Sequence, residues 1–207
     1  MGWGATDEEL AAPYPGEELV PDGERGATMA VTIDAPPGKV WPWLVQMGWD
    51  RGGWYSWDLL DNAGRPSADR VHPEWQDLSL GDYVQAWSPA TRTGVDAWEV
   101  AALVPERFLG LRGLTDLRGR NLDPRHPRPA AYVEGLWGFQ LKALPGERTR
   151  LVIGGYQAVR PRWLQQVVFY WFYIPVVWIM QARTLAVLKR NVERQTAPPV
   201  VEVPPAA

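Results

Sequence analysis

The 207-residue chain predicts an α+β fold in which a curved antiparallel sheet wraps one long C-terminal helix. Three observations lead there. A strand and two short helical segments come first, a run of strands with short joins follows, and a single long helical segment, heavy in aromatic residues, comes last.

ATMAVTID (27–34) alternates as a strand does and puts Met29, Val31 and Ile33 on one face. Asp34 is placed to cap a helix over APPGKVWPWLVQMG, with prolines near its start and Gly48 at its end. SWDLLDNAG reads as a second short helix from Ser56 to Gly64. GDYVQAW, DAWEVAALV, RFLGLRG, AYVEGLWGFQLKAL and TRLVIGGYQAV then follow as strands. VPERF and the Pro145-Gly146 turn in LPGERT make two of the joins short enough for hairpins. Alternation places Val133, Trp137, Phe139 and Leu141 on one face and Glu134, Gln140 and Lys142 on the other. Trp98, Val100, Ala102 and Val104 are expected to share a face in the same way. The last helix runs from about Pro161 to Gln195. Residues 1–24 read as an irregular acidic leader broken by Pro13, Pro15 and Pro21, residues 25–195 as one domain, and residues 196–207 as a Pro-rich flexible tail.

Composition bounds the function. With no cysteine, disulfides, thiolate nucleophiles and sulfur-ligated metals are excluded. The two histidines, His72 and His126, have neither HExxH nor zinc-finger spacing, so no metal and no cofactor is expected. No serine elbow or phosphate-binding glycine loop is present. The chain carries a net charge of −3 and no nucleic-acid motif accompanies its basic stretches, so nucleic acid is not an expected partner. Nothing at the N-terminus has the make-up of a secretory leader, and a cytoplasmic location is expected. Thirteen Trp exceed the seven Tyr and four Phe. Such a large side chain with one polar atom suits pockets, interfaces and bilayer boundaries.

AVTIDAPPGKVWPWLVQMGWDRGGWYSWDLLDN followed by PEWQDLSLGDYV, together with the order of elements over residues 25–195, resembles the SRPBCC superfamily. This superfamily comprises START lipid-transfer domains, pollen-allergen-like carriers and polyketide cyclase-like proteins. The resemblance implies a helix-grip fold with a cavity for an apolar small molecule between sheet and final helix. It carries over no catalytic residue.

The residues expected at such a cavity are Arg51, Tyr55, Trp57, Asp58, Trp98, Trp137, Phe139, Tyr156 and Trp171. In RGGWYSWD (51–58) the glycines let the chain turn sharply and present Arg51, Tyr55 and Asp58 together. Arg51 then either receives an anionic headgroup or pairs with Asp58 or Asp61. If the site is catalytic, a carboxylate made basic by an aromatic cavity would carry cyclase or dehydratase chemistry. Asp58, Glu99 and Glu134 are the candidates, with Tyr55 or Tyr156 polarising an oxygen. Alternation points Glu99 and Glu134 away from the tryptophan faces, toward water.

VVFYWFYIPVVWIM (167–180) is apolar all round. Its fourteen residues make a helix of about 21 Å, short of a hydrocarbon core of about 30 Å. Leu164, Val168, Trp171, Pro175, Trp178, Ala182 and Leu185 form the stripe expected against the sheet, with a kink at Pro175. Phe169, Tyr173, Val176, Val177 and Met180 form a second apolar face needing its own partner. Peripheral contact with the inner face of a membrane, a homodimer, a bound ligand and docking onto a larger assembly are the alternatives.

Overall fold

The computed structural model describes residues 2–87, 97–167, 171 and 174–197. Eight strands form one sheet: β1 (Gly2–Trp3), β2 (Glu24–Arg25), β3 (Thr28–Ile33), β4 (Tyr83–Gln85), β5 (Ala97–Val104), β6 (Phe108–Thr115), β7 (Tyr132–Leu144) and β8 (Arg148–Arg160). Their order is β1-β3-β8-β7-β6-β5-β4, with β2 also on β8, and every pairing is antiparallel except the two-residue β1–β3 contact. Helices α1 (Asp7–Ala11), α2 (Pro37–Val45), α3 (Asp58–Asp61), α4 (Arg162–Leu164) and α5 (Ile174–Thr196) complete the chain. This is the helix-grip arrangement: a curled antiparallel sheet with α5 laid across its concave face.

The apolar alternation of β3, β6, β7 and β8 gives the sheet two hydrophobic faces. On the concave side Met29, Ile33, Leu109, Leu111, Phe139, Leu141, Leu151 and Ile153 pack against Val40, Trp43 and Leu44 of α2 and Leu185, Leu188 and Val192 of α5. The convex side carries a second core of Ala30, Phe108, Leu114, Leu136, Val152, Tyr156 and Ala158. That core is closed by the leader, which is ordered where the acidic sequence suggested irregular chain. Thr6 caps α1 through a reciprocal box with Glu9, and Tyr14 and Val20 are buried. Tyr14 donates to Val152 O at 3.0 Å and accepts through its own carbonyl from Tyr156 at 2.7 Å. Its ring lies so close to the sheet that a Cβ at Gly138 would stand 2.7 Å from it and one at Gly154 3.0 Å. Arg150 clasps Glu9 at 2.7 Å and holds its carboxyl down near pKa about 2.

Several local expectations are corrected. Pro36, not Asp34, is the N-cap of α2, because Pro37 already supplies a helix-ready first position; the Asp34 N–H goes to Glu193 of α5 instead. A register shift between Val100 and Ala102 breaks the alternation of β5. Trp98 and Val100 stay on the concave side, Ala102 joins the convex core, and Val104 is exposed. Glu99 and Glu134 do point away from the concave face, yet toward arginine rather than water. Glu134 is fully buried with a two-point ion pair to Arg128, and Glu99 pairs with Arg112 at 2.7 Å. Pro175 is the second residue of α5, which follows π-helical turns at residues 165–167 and 171.

Tyr14 joins the leader to both central strands, so truncating it opens a cavity and removes a buried hydrogen bond. Tyr14→Ala is expected to cost about 3 kcal/mol or more in urea unfolding. A loss below about 1 kcal/mol would show that the leader is no part of the folded core.

Candidate functional site

The concave face changes character along its strands. Reading every second residue, β6 goes from Leu111 to Thr115 through Gly113, β7 from Phe139 through Trp137 to Gly135 and Val133, and β8 from Ile153 to Gly155 and Gln157. Gly113 pairs with Gly135, and Trp137 with Gly155, so the small residues fall on adjoining rungs. Large side chains meet the C-terminal half of α5 at one end. At the other, where the rungs hold glycine, the N-terminal half of α5 has no sheet side chains to pack on.

A cavity of about 830 Å³ occupies that space. Trp54, Trp87, Trp98 and Trp137 wall it, Thr115, Val133 and Gly135 form part of its floor, and Val176, Val177, Met180, Gln181 and Thr184 of α5 lie along it. The indoles stack into one another: Trp54 and Trp98 lie 5.5 and 6.1 Å from Trp137, which leans on Phe139 at 4.8 Å. Two bonds tie the segment before α3 to α5: Thr184 Oγ1 donates to Trp54 O at 3.1 Å, and Ser56 Oγ to Met180 O at 3.3 Å.

Several polar groups in the wall have partners. Tyr156 gives its hydroxyl to Tyr14, and Asp116 accepts from the backbone of Arg118 and Arg120 and pairs with the Arg120 side chain. Asp61 differs. It is 3% exposed and lines the cavity, and neither carboxylate oxygen has a well-formed hydrogen bond among the described residues; its own backbone N–H and the Ser56 side chain, whose hydroxyl donates to Met180 O, only partly offset the burial. Burial, and then the neighbouring charge of Asp58, push its pKa up to about 6. The Trp137 indole nitrogen is likewise buried without an acceptor among the described residues.

The residues expected at the site are distributed as follows. Trp98 and Trp137 line the cavity and Phe139 stands behind Trp137 in the core, whereas Tyr156 borders the cavity with its side chain packed in the convex core against Tyr14. Tyr55 is buried beside Trp43 and bonds Gln46 at 2.7 Å, outside the wall. Arg51 donates to Val45 O at 3.1 Å and takes no acidic partner among the described residues. Asp58 is engaged by the Ser67 N–H and hydroxyl. Trp57 sits outside under Arg183, whose guanidinium carbon is 4.9 Å from the ring, and Trp171 stands exposed. Of the second helix face, Val176, Val177 and Met180 border the cavity, whereas Phe169 and Tyr173 fall outside the described residues, as does Val168 of the first stripe. Trp178, Ala182 and Leu185 do face the core. Trp54, Ser56, Asp61 and Thr184 were not anticipated. Gly135 and Gly155, which share the face of Phe139 and Ile153 by alternation, were the available signal for where the space would open.

No family model and no curated protein matches the chain. Solved structures with a similar chain course include protein MLL2253 from Mesorhizobium loti, 20% identical over 82% of this chain and 99% of that one, TM-score 0.44. The Aha1 dimer from Colwellia psychrerythraea is 13% identical over 84% and 99%, TM-score 0.43. The Polyketide_cyc-like protein Cgl2372 from Corynebacterium glutamicum is 15% identical over 85% and 95%, TM-score 0.38.

Asp61 makes stability depend on pH. Its folded pKa lies above the unfolded value of 3.8, so the folded state is at no disadvantage below about pH 4, loses stability as pH rises toward 6, and stays penalised beyond it. Asp61→Asn is therefore expected to leave stability nearly unchanged at pH 4 and to raise it by about 2 kcal/mol at pH 8, read by urea unfolding. Equal effects at both pH values would contradict the buried carboxylate.

Proposed function

We propose that the protein binds a hydrophobic small molecule, lipid- or polyketide-like, in the cavity between the sheet and α5. The observation that supports this most directly is the cavity itself. Its volume of about 830 Å³ lies in the range of small-molecule sites, and its walls are mainly indole and aliphatic with few free polar groups. The carboxylates weighed for acid–base chemistry, Asp58, Glu99 and Glu134, all have protein partners. Those three are therefore not free for cyclase or dehydratase chemistry, which leaves Asp61 in the cavity wall as the carboxylate that could serve it; whether a bound molecule is converted separates the two roles.

Native mass spectrometry of protein purified without detergent tests this. A small apolar adduct that survives incubation unchanged is the expected result, and its conversion would favour the enzyme. Trp137→Ala combined with Val177→Glu should abolish the adduct while the circular dichroism stays that of the wild type. Apo protein that takes up no apolar fluorescent probe, in wild type as in variant, would overturn the proposal.

A second reading concerns how cargo reaches the cavity. Trp163, Val167, Trp171, Val176 and Ile179 are all more than half exposed, and Leu59 and Leu60 of α3 stand exposed near Trp57 and Arg183. Val176 belongs both to this surface and to the cavity wall. Among the described residues no helix is long and apolar enough to cross a membrane. Exposed indoles with Arg162 and Arg183 beside them instead have the make-up of an interfacial surface, and we propose that the cavity mouth rests on anionic lipid. Wild type should float with anionic vesicles at low salt, and Trp163→Ser/Ile179→Asp should not. Wild-type protein that stays in solution would refute this surface.

A further inference from the structure

Asp61 raises a question that an apolar cavity alone does not answer. A carboxylate withdrawn from water is costly unless something donates to it. In α3 the two acids have opposite fates: Asp58 is satisfied by Ser67, whereas Asp61, one turn on, lines the cavity with no well-formed hydrogen bond to either oxygen, its backbone N–H and Ser56 offsetting its burial only in part. Among the described residues no lysine, arginine or histidine lines the cavity, and the other acid there, Asp116, is already paired with Arg120. The site thus has one uncompensated negative group. The same cavity is lined by Trp54, Trp98 and Trp137, whose electron-rich faces favour a cation. An acidic headgroup would meet like charge with nothing to neutralise it. A protonated amine would satisfy Asp61 by a charge-assisted hydrogen bond and lie against the rings.

Resting on the binding role proposed above, we infer that the cavity selects apolar molecules carrying a positively charged amine, with Asp61 as the residue that recognises it. The unpaired Trp137 N–H, in the same wall, then suits an acceptor atom on such a molecule, a hydroxyl or carbonyl oxygen. A pKa near 6 keeps Asp61 anionic at neutral pH, where aliphatic amines are cationic.

The test compares three probes of one chain length, dodecylamine, dodecanol and dodecanoate, each titrated below its micelle concentration at pH 7.5. Dodecylamine is expected to bind wild type at least about ten-fold more tightly than either of the others. Asp61→Asn should bring amine and alcohol to within about two-fold of each other while retaining the alcohol. Wild type that binds dodecanoate or dodecanol as tightly as the amine overturns the inference and leaves the cavity standing. Binding of none of the three overturns the inference and the binding role together. The wild-type ranking decides the matter even if the variant folds poorly.

Discussion

A strand shows every second side chain to one face, and the architecture follows from what those side chains are on the concave face of this sheet. Toward one end, Leu111, Phe139 and Ile153 reach out to Leu185, Leu188 and Val192, and the sheet holds the helix by ordinary close packing. Toward the other end, Gly135 and Gly155 offer nothing to hold. The helix does not collapse into the gap, because Thr184 and Ser56 tie it to the segment that carries Trp54. A tethered helix above a floor of glycines leaves a hollow, and the indoles line it without filling it. At Gly155 the glycine is required by the sheet itself, since a Cβ there would collide with the Leu136 carbonyl oxygen.

Opening a hollow inside the sheet places demands on its other side. The convex face is apolar too, so it must be covered, and the leader does this with Tyr14 and Val20. Its acidic residues then find positive partners on the sheet, as Glu9 does at Arg150. The ion pairs of Glu134 with Arg128 and Glu99 with Arg112 lie on the same face. Buried pairs of this kind add little net stability beside apolar packing, although removing one partner leaves a costly charge behind. Their effect is to fix which face of β6 and β7 turns inward, since a one-residue slip would thrust the arginines and glutamates into the cavity.

Most of the elements were legible from period and punctuation: strand alternation, the Pro-Gly turn at 145–146 and the long terminal helix all reappear. What escaped depended on interactions between distant parts of the chain. The bulge in β5 cannot be read from β5 alone, because it is a mismatch of length with β6. The leader looks irregular by itself, since Tyr14 becomes a core residue only when Gly138 and Gly154 make room for its ring. RGGWYSWD was expected to aim Arg51, Tyr55 and Asp58 at the site, but a segment this rich in turn residues has no period to fix its orientation. The tertiary bonds of Gln46, Ser67 and Thr184 fix it, and they bring Trp54, Ser56 and Asp61 to the cavity. Gly135 and Gly155 were in plain view, and alternation from Phe139 and Ile153 would have placed them on the cavity side.

The helix that looked apolar on every side can now be understood through its neighbours. One side, with Trp178, Ala182 and Leu185, faces the core. Another, with Val177 and Met180, borders the cavity, and Ile179 and Val176 turn outward. A helix with two apolar environments needs two apolar stripes, so the all-round pattern argues neither for a span nor against a globular fold. The same accounting isolates Asp61. A buried carboxylate with no well-formed hydrogen bond works against the stability of the fold, and such exceptions concentrate where a ligand completes the structure. The lone charge and the hollow beside it are therefore best understood as one feature, the first giving selectivity to a space that apolar walls alone would leave indiscriminate.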